Sequence, residues 1–358
     1  MKTLTYGSVC SGIEAVSVAW SGLNLKPIWF SEIEPFPCAV LAHHYPTIPN
    51  HGDMTTLPDR ILSGEIEAPD ILVGGTPCQA FSVAGLRNSL NDERGNLTLV
   101  FVRILNAINT IRRRYGLPDA VVLWENVPGV LSTRDNAFGC FLAALLGESK
   151  ELVPTGSRWT GAGIVRSDEC EIAWRILDAQ YFGVPQRRRR VFLVAGSRNR
   201  RVAEILFEQP GKSRAFKKGE TSKKESSAFV ESSFGTYRAS DVGGTLKRTG
   251  GALSGGSETL LTSKIGATLT TAWSVNSDQI FNGNYVINYP KVRKLTPIEC
   301  ERLQGFPDNY TQIPWRNKTA EQCPDTPRYM AIGNSMAVPV MRWIGTRIIL
   351  KDKQKDIS

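Results

Sequence analysis

The chain has 358 residues, 41% of them hydrophobic, with 43 Lys and Arg against 34 Asp and Glu and a formal net charge of +9. This is enough apolar material for a globular protein of two domains, and the basic excess favours an anionic partner. No apolar run approaches the roughly 18–20 residues that cross a bilayer, Met1–Ser11 lacks the layout of a signal peptide, and the seven cysteines never form a Cys-x-x-Cys pair. A cytoplasmic, monomeric protein without disulfides or bound metal is expected. His43, His44 and His51 lie close together, but no cysteine or carboxylate pattern completes a metal site around them.

Residues 1–196 alternate strand-like and helical patterns, with strands expected near Leu4–Val9, Ile28–Ser31, Ile71–Val73, Ala120–Trp124, Ile172–Leu177 and Val191–Ala195. Apolar spacing of helical period marks Glu14–Ser21, Pro35–His44, Leu97–Arg114 and Ala137–Leu146. Together these predict an α/β, doubly wound, mostly parallel sheet. After Gly196 the texture turns basic, with nine Lys and Arg against three Glu between Ser197 and Lys224, and then rich in Gly, Ser and Thr. A second, smaller loop- or β-rich domain is expected there. Thr296-Pro297-Ile298-Glu299 has the form of a helix-starting capping box with Pro at the first helical position, and Met336–Leu350 reads as a helix packing back on the first domain.

The first strand runs into a glycine-containing turn, Gly7–Ala15, that opens a helix, and the second ends in Ser31-Glu32-Ile33-Glu34. An acid about 20 residues after such a turn commonly holds ribose hydroxyls. Asp53, at the next strand end, is placed to hold a base or an amino group. These three weak signals agree on an adenosyl cofactor. The third strand delivers Gly74-Gly75-Thr76-Pro77-Cys78, in which the Pro step gives Cys78 a defined direction. A presented thiol nucleophile and a buried cysteine packing as a small hydrophobe fit that run equally well. The fourth strand ends in Trp124-Glu125-Asn126-Val127-Pro128-Gly129, so Glu125 is either an acid tuned by burial to donate a proton to a ring nitrogen or a structural cap. In Gln186-Arg187-Arg188-Arg189-Arg190, alternation sends Arg188 and Arg190 to one side and Arg187 and Arg189 to the other. A basic run is usually a solvated patch; one that abuts a buried strand favours a site for phosphate or a carbonyl oxygen.

Taken in order, the glycine turn, Pro77-Cys78-Gln79, Glu125-Asn126-Val127, Gln186–Arg190, Arg293–Pro307 and Gly333-Asn334-Ser335 resemble the motifs of the cytosine-C5 DNA methyltransferase family of bacterial or phage type. The resemblance leaves only about residues 197–290 outside. It implies a Rossmann-like fold, S-adenosylmethionine as cofactor and double-stranded DNA as partner, with no metal. It further implies that a cytosine is flipped from the duplex, that Cys78 adds to its C6 and that Glu125 holds the N3 and amine edge. Arg190 would meet O2, and Arg188 the base or a phosphate. Cofactor contacts carried over are Cys10, Gly12, Ile13, Glu32, Ile33, Asp53, Met54, Pro77, Leu97, Asn334 and Ser335. DNA contacts are Gln79, Ser82, Arg94, Gln186 and one of two Thr-Leu pairs, at Thr245 or Thr268. Gln79–Gly95 corresponds to the loop that closes over the flipped nucleotide.

The implied domains are 1–196 plus 328–358 for catalysis and cofactor, and 197–327 for target recognition. One departure stands out: Cys10 takes the position of an aromatic residue and Glu14 that of a second Gly, so Glu14 is expected to hydrogen-bond the cofactor's amino group. RNA methylation with the same apparatus and a silent DNA-binding relative are the alternatives. The first is disfavoured by the absence of a Cys-Phe-Thr tripeptide, the second by the joint presence of Cys78, Glu125 and Arg190.

Overall fold

The computed structural model describes residues 3–77, 97–156, 158–208, 227–233, 236–240, 259–262, 285–288 and 291–355. Seven strands form one sheet: β1 (Leu4–Val9), β2 (Leu25–Ser31), β3 (Ile71–Gly74), β4 (Val121–Asn126), β5 (Ala162–Arg166), β6 (Cys170–Asp178) and β7 (Arg189–Ser197). Their order is β2-β1-β3-β4-β7-β6-β5. The pairs β1/β2, β1/β3 and β3/β4 are parallel, whereas β4/β7, β6/β7 and β5/β6 are antiparallel, so β7 and β5 run against the other five. The mostly parallel, doubly wound sheet expected from the sequence is present. Its antiparallel edge follows from chain length: only one 3-10 turn, Ala179–Tyr181, lies between β6 and β7, and a parallel return needs a crossover of a dozen or more residues.

Strand alternation divides the core into two layers. Ile71, Val73, Val121, Leu123, Phe192 and Val194 face one layer, with α1 (Ala15–Trp20) and α9 (Val338–Lys355). Leu72, Val122, Trp124, Val191 and Leu193 face the other, with α3 (Leu57–Leu62), α4 (Leu97–Arg114) and α5 (Ala137–Leu146). Two glycines admit this packing. A Cβ on Gly7 would lie 2.1 Å from the Trp29 ring, and one on Gly345 of α9 would lie 2.2 Å from Trp20 Nε1. The remaining helices are α2 (Pro35–His44), α6 (Ala203–Leu206), α7 (Pro297–Gln304) and α8 (Asp325–Asn334).

A second sheet, ordered β12-β11-β10-β8-β9, comprises β8 (Ser227–Ser233), β9 (Thr236–Ser240), β10 (Thr259–Thr262), β11 (Tyr285–Asn288) and β12 (Lys291–Lys294). It leads through Leu295 into α7, whose capping box forms as expected. Leu295, Cys300, Phe306, Tyr310, Ile313 and Cys323, from the segment assigned by sequence to target recognition, are buried in the same cluster as Tyr6, Ile13 and Val16. Among the described residues, no helix is long and apolar enough to cross a membrane, and no group of three His, Cys, Asp or Glu is arranged to hold a metal ion.

Candidate active site

Parallel register aligns the ends of four strands along one edge: Val9 lies beside Ser31 and Gly74, and Gly74 beside Trp124. The chain leaves each end into a single cavity of about 620 Å³. Open α/β sheets bind ligands at this carboxyl edge. Because β7 runs antiparallel to β4, with Asn126 beside Val191, it brings Arg190 in from its own beginning to the end of β4. Strands of both directions therefore contribute to one site.

The β1–β2 side of the cavity is lined by Cys10, Gly12, Glu32, Ile33, Asp53 and Met54. Glu32 is nearly buried. Its Oε2 accepts from the Gly12 N–H at 2.7 Å, and its Oε1 from the Ile33 and Glu34 N–H groups at 2.8 Å each. The strand end is held by Asn50, whose Oδ1 accepts from the Glu32 N–H at 2.9 Å and whose Nδ2 donates to the Glu32 carbonyl at 3.1 Å. Cys10 Sγ sits 3.7 Å from Met54 Sδ, and the two make a soft apolar wall. Burial, then the nearby Glu32 carboxylate, pushes the Cys10 thiol up to about 12, so it is inert as a nucleophile.

The opposite side carries Gly75, Thr76, Pro77, Leu97, Glu125, Asn126, Val127, Arg188 and Arg190. Thr76 is the anchor beneath Pro77. Its Oγ1 accepts from Trp124 Nε1 at 2.9 Å and lies 2.9 Å from Thr98 Oγ1, and its carbonyl accepts from Asn126 Nδ2 at 3.0 Å. Arg190 Nε is 3.2 Å from Glu125 Oε1. Burial raises the Glu125 carboxyl above its ordinary range, and the Arg190 and Arg188 charges only partly oppose that. Arg188, fully enclosed beside Arg190, is lowered to about 9. Its Nη2 donates to the carbonyls of Ser335, at 2.6 Å, and Gly333, at 3.2 Å. These are carbonyls at the end of α8, where helices leave acceptors unmet. Arg188 also lines the cavity beside Arg190.

The structure thus brings together Cys10, Gly12, Glu32, Ile33, Asp53, Met54, Pro77, Leu97, Glu125, Arg188, Arg190 and Asn334. It does not bring Ile13, Glu14, Gln186 or Ser335 to the cavity lining. Ile13 is fully buried in the core. Glu14 turns inward from a left-handed backbone position and caps α1: its Oε2 accepts from the Ser17 N–H at 2.8 Å and hydroxyl at 2.6 Å. Glu14 thus serves as a helix cap, away from the cavity lining. Gln186 has no exposed surface, and Ser335 contributes its carbonyl to Arg188 and Gln304. Cys78, Gln79, Ser82, Arg94, Thr245 and Thr268 lie outside the described residues. Lining residues not singled out by sequence include Ser31, Glu34, Gly52, Asn126 and Val127; the motifs Ser31–Glu34 and Glu125–Val127 were the available signal.

A family model described as C-5 cytosine-specific DNA methylase matches residues 4–350. A DNA N-6-adenine-methyltransferase of Escherichia phage P1 is 41% identical over 97% of the chain, and the chain spans 61% of that protein's length. Type II methyltransferase M.DsaV of Dactylococcopsis salina is 26% identical over all of this chain and 90% of its own length. Among solved structures, a mutant of Spodoptera frugiperda DNMT2 superposes with a TM-score of 0.55 and 17% identity, covering 97% of this chain and 99% of that one, a likeness of fold.

Proposed function

This chain belongs to the C-5 cytosine-specific DNA methylase family, and from that membership we propose that it methylates cytosine C5 in duplex DNA with S-adenosylmethionine as donor. The observation that carries the reading is the pairing of buried Glu125 with Arg190 in the same cavity as Pro77, the residue before Cys78. The cavity also suits the cofactor: Glu32 and Asp53 offer acceptors to an adenosyl group, between the apolar surfaces of Ile33, Met54, Pro77 and Leu97. When bound, S-adenosylmethionine supplies the electrophilic methyl group that C5 takes up.

The chemistry required of the chain follows from cytosine, whose C5 is a poor nucleophile. The Cys78 thiolate bonds to C6, and the C5=C6 electron pair moves to C5. Glu125, whose carboxyl burial raises above its ordinary range, donates in its protonated form to N3 and stabilises the charge that builds on the ring. Arg190, whose Nε lies 3.2 Å from Glu125 Oε1, donates to O2 on the same edge of the ring. After methylation the C5 proton passes to a base, the C6–S bond breaks, and the ring double bond reforms. The target atom is inaccessible inside a duplex, so the base must be flipped into the cavity.

The name of the phage P1 relative raises a second reading, methylation of adenine N6. The chain spans only part of that protein and has no Asp/Asn-Pro-Pro-Tyr/Phe run of amino-directed enzymes. An amino group also needs no thiol adduct to react. Nucleoside mass spectrometry of DNA treated with the wild type and with Cys78→Ser separates the two. The C5 reading expects 5-methylcytosine that disappears in the variant while DNA and cofactor binding persist. N6-methyladenine, unchanged by the substitution, would replace it with the second reading.

A further inference from the structure

Gln304, the last residue of α7, has no solvent exposure, and its Nε2 donates to the carbonyls of Ile332 at 2.9 Å and Ser335 at 3.4 Å. The Ser335 carbonyl is the one that Arg188 Nη2 meets at 2.6 Å. Between these two carbonyls stands Asn334, whose side of the turn lines the cavity near Glu34 and Pro37. Arg188, in turn, is one residue from Arg189 and two from Arg190, which pairs with Glu125. One carbonyl oxygen therefore joins a donor from α7, a donor from the residue just before β7 and the turn that borders the cofactor side.

We propose that Gln304 is a positioning residue that links the two edges of the active site, by fixing, with Arg188, the carbonyls on either side of Asn334. The proposal rests on the cofactor and base edges being those assigned above. Gln304 Oε1 has no hydrogen-bond partner among the described residues. A buried unmet acceptor is costly, and an apolar side chain of similar size would fill the space without that cost. What only an amide or acid can supply there is a donor to the two carbonyls. The surroundings hold that donor rigidly. Gly305, at φ 84°, ends α7 so closely against Pro339 that an added Cβ would lie 2.6 Å from its Cδ. At the other end of α8, buried Glu301 pairs with Arg328 at 3.2 Å, and both bond Thr311. Two struts thus fix α8 to α7, and the one nearer the cavity is Gln304. Since α7 follows directly from β12, the second sheet is continuous in chain with this strut.

The test is Gln304→Met, which keeps length and removes the donor, compared with wild type by two readouts after circular dichroism verifies the fold. Calorimetric titration with S-adenosylhomocysteine, without DNA, is expected to show roughly tenfold weaker binding, as loss of a buried donor implies. At saturating cofactor, kcat on duplex DNA is expected to remain reduced roughly tenfold, because the Arg188–Arg190 edge loses its fixed partner. A variant that melts at lower temperature but keeps both values within twofold at 20 °C overturns the proposal; so does one in which saturating cofactor restores kcat. If Gln304→Met does not fold, Gln304→Glu provides the second arm, since a protonated carboxyl retains a donor. Its activity relative to wild type is then expected to rise as pH falls, and a flat ratio overturns the proposal. A wild-type chain that binds S-adenosylhomocysteine but methylates no cytosine would sink the C5 reading, while the binding arm still decides the role of Gln304.

Discussion

At Glu125, burial favours the neutral acid and the guanidinium groups of Arg190 and Arg188 favour the carboxylate; burial is the larger effect. The sign follows: the donor form is present below the raised pKa and is lost as pH rises through it. We expect kcat to fall on the alkaline side in the wild type. Glu125→Gln, of the same shape but unable to transfer a proton, should lose about 10²-fold in kcat and lack that alkaline limb; steady-state pH profiles of both proteins check this. Glu14 is a second buried acid with a raised pKa, caused first by burial and opposed by its bonds to Ser17 and Ser8. Its folded state takes up a proton more readily than the unfolded chain, so the cost of holding it charged appears as pH rises above its ordinary range. Glu14→Gln should therefore gain stability relative to wild type at pH 8 and lose the advantage near pH 4; urea melts at both values measure it. Glu125 and Arg190 were legible because each stands at a strand end in a recognisable run. Thr76, Asn126 and Gln304 were not, because their partners lie 48, 50 and 28 residues away and only folding brings them together.

Among the elements, α1 and α9 show how a site far from any ligand supports the glycine turn. Trp20 Nε1 donates to the Met341 carbonyl at 2.8 Å across the interface, and Gly345 leaves room for the ring. Gly→Ala inside a helix ordinarily gains up to about 1 kcal/mol. Here the new methyl meets the indole, so Gly345→Ala should instead destabilise by about 1–3 kcal/mol, read as a lower urea midpoint with unchanged slope. Helical periodicity located α2, α4 and α5 with their observed bounds: α4 carries a long apolar face, α5 is buried along almost its whole length, and α2 buries Phe36, Val40 and Leu41. β5 escaped notice because Ala162–Arg166 is an edge strand with alternately exposed positions and no fully buried residue. The capping box at Thr296 was legible for the opposite reason: its reciprocal bonds between Thr296 and Glu299 are entirely local.

The molecule as a whole combines a mostly parallel sheet, whose carboxyl edge carries the site, with a second sheet joined to it through β12 and α7. Net charge of +9 and the proposed DNA substrate together predict that binding to duplex DNA weakens steeply with salt. A linear fall of log affinity against log salt, measured by fluorescence anisotropy on DNA of unrelated sequence, is the expected result; salt-independent binding would remove phosphate contacts from the account. The target sequence is not legible, because base readout depends on loop geometry rather than on residue identity alone. The central claim is that the thiol presented after Pro77 bonds C6 of a flipped cytosine. Incubation with S-adenosylmethionine and duplex DNA containing 5-fluorocytosine at its target tests it directly, since fluorine cannot leave C5 as a proton does. Peptide mass spectrometry should find Cys78 covalently attached to the methylated base. Turnover of unmodified DNA to 5-methylcytosine with no Cys78 adduct on the fluorinated DNA would contradict the account.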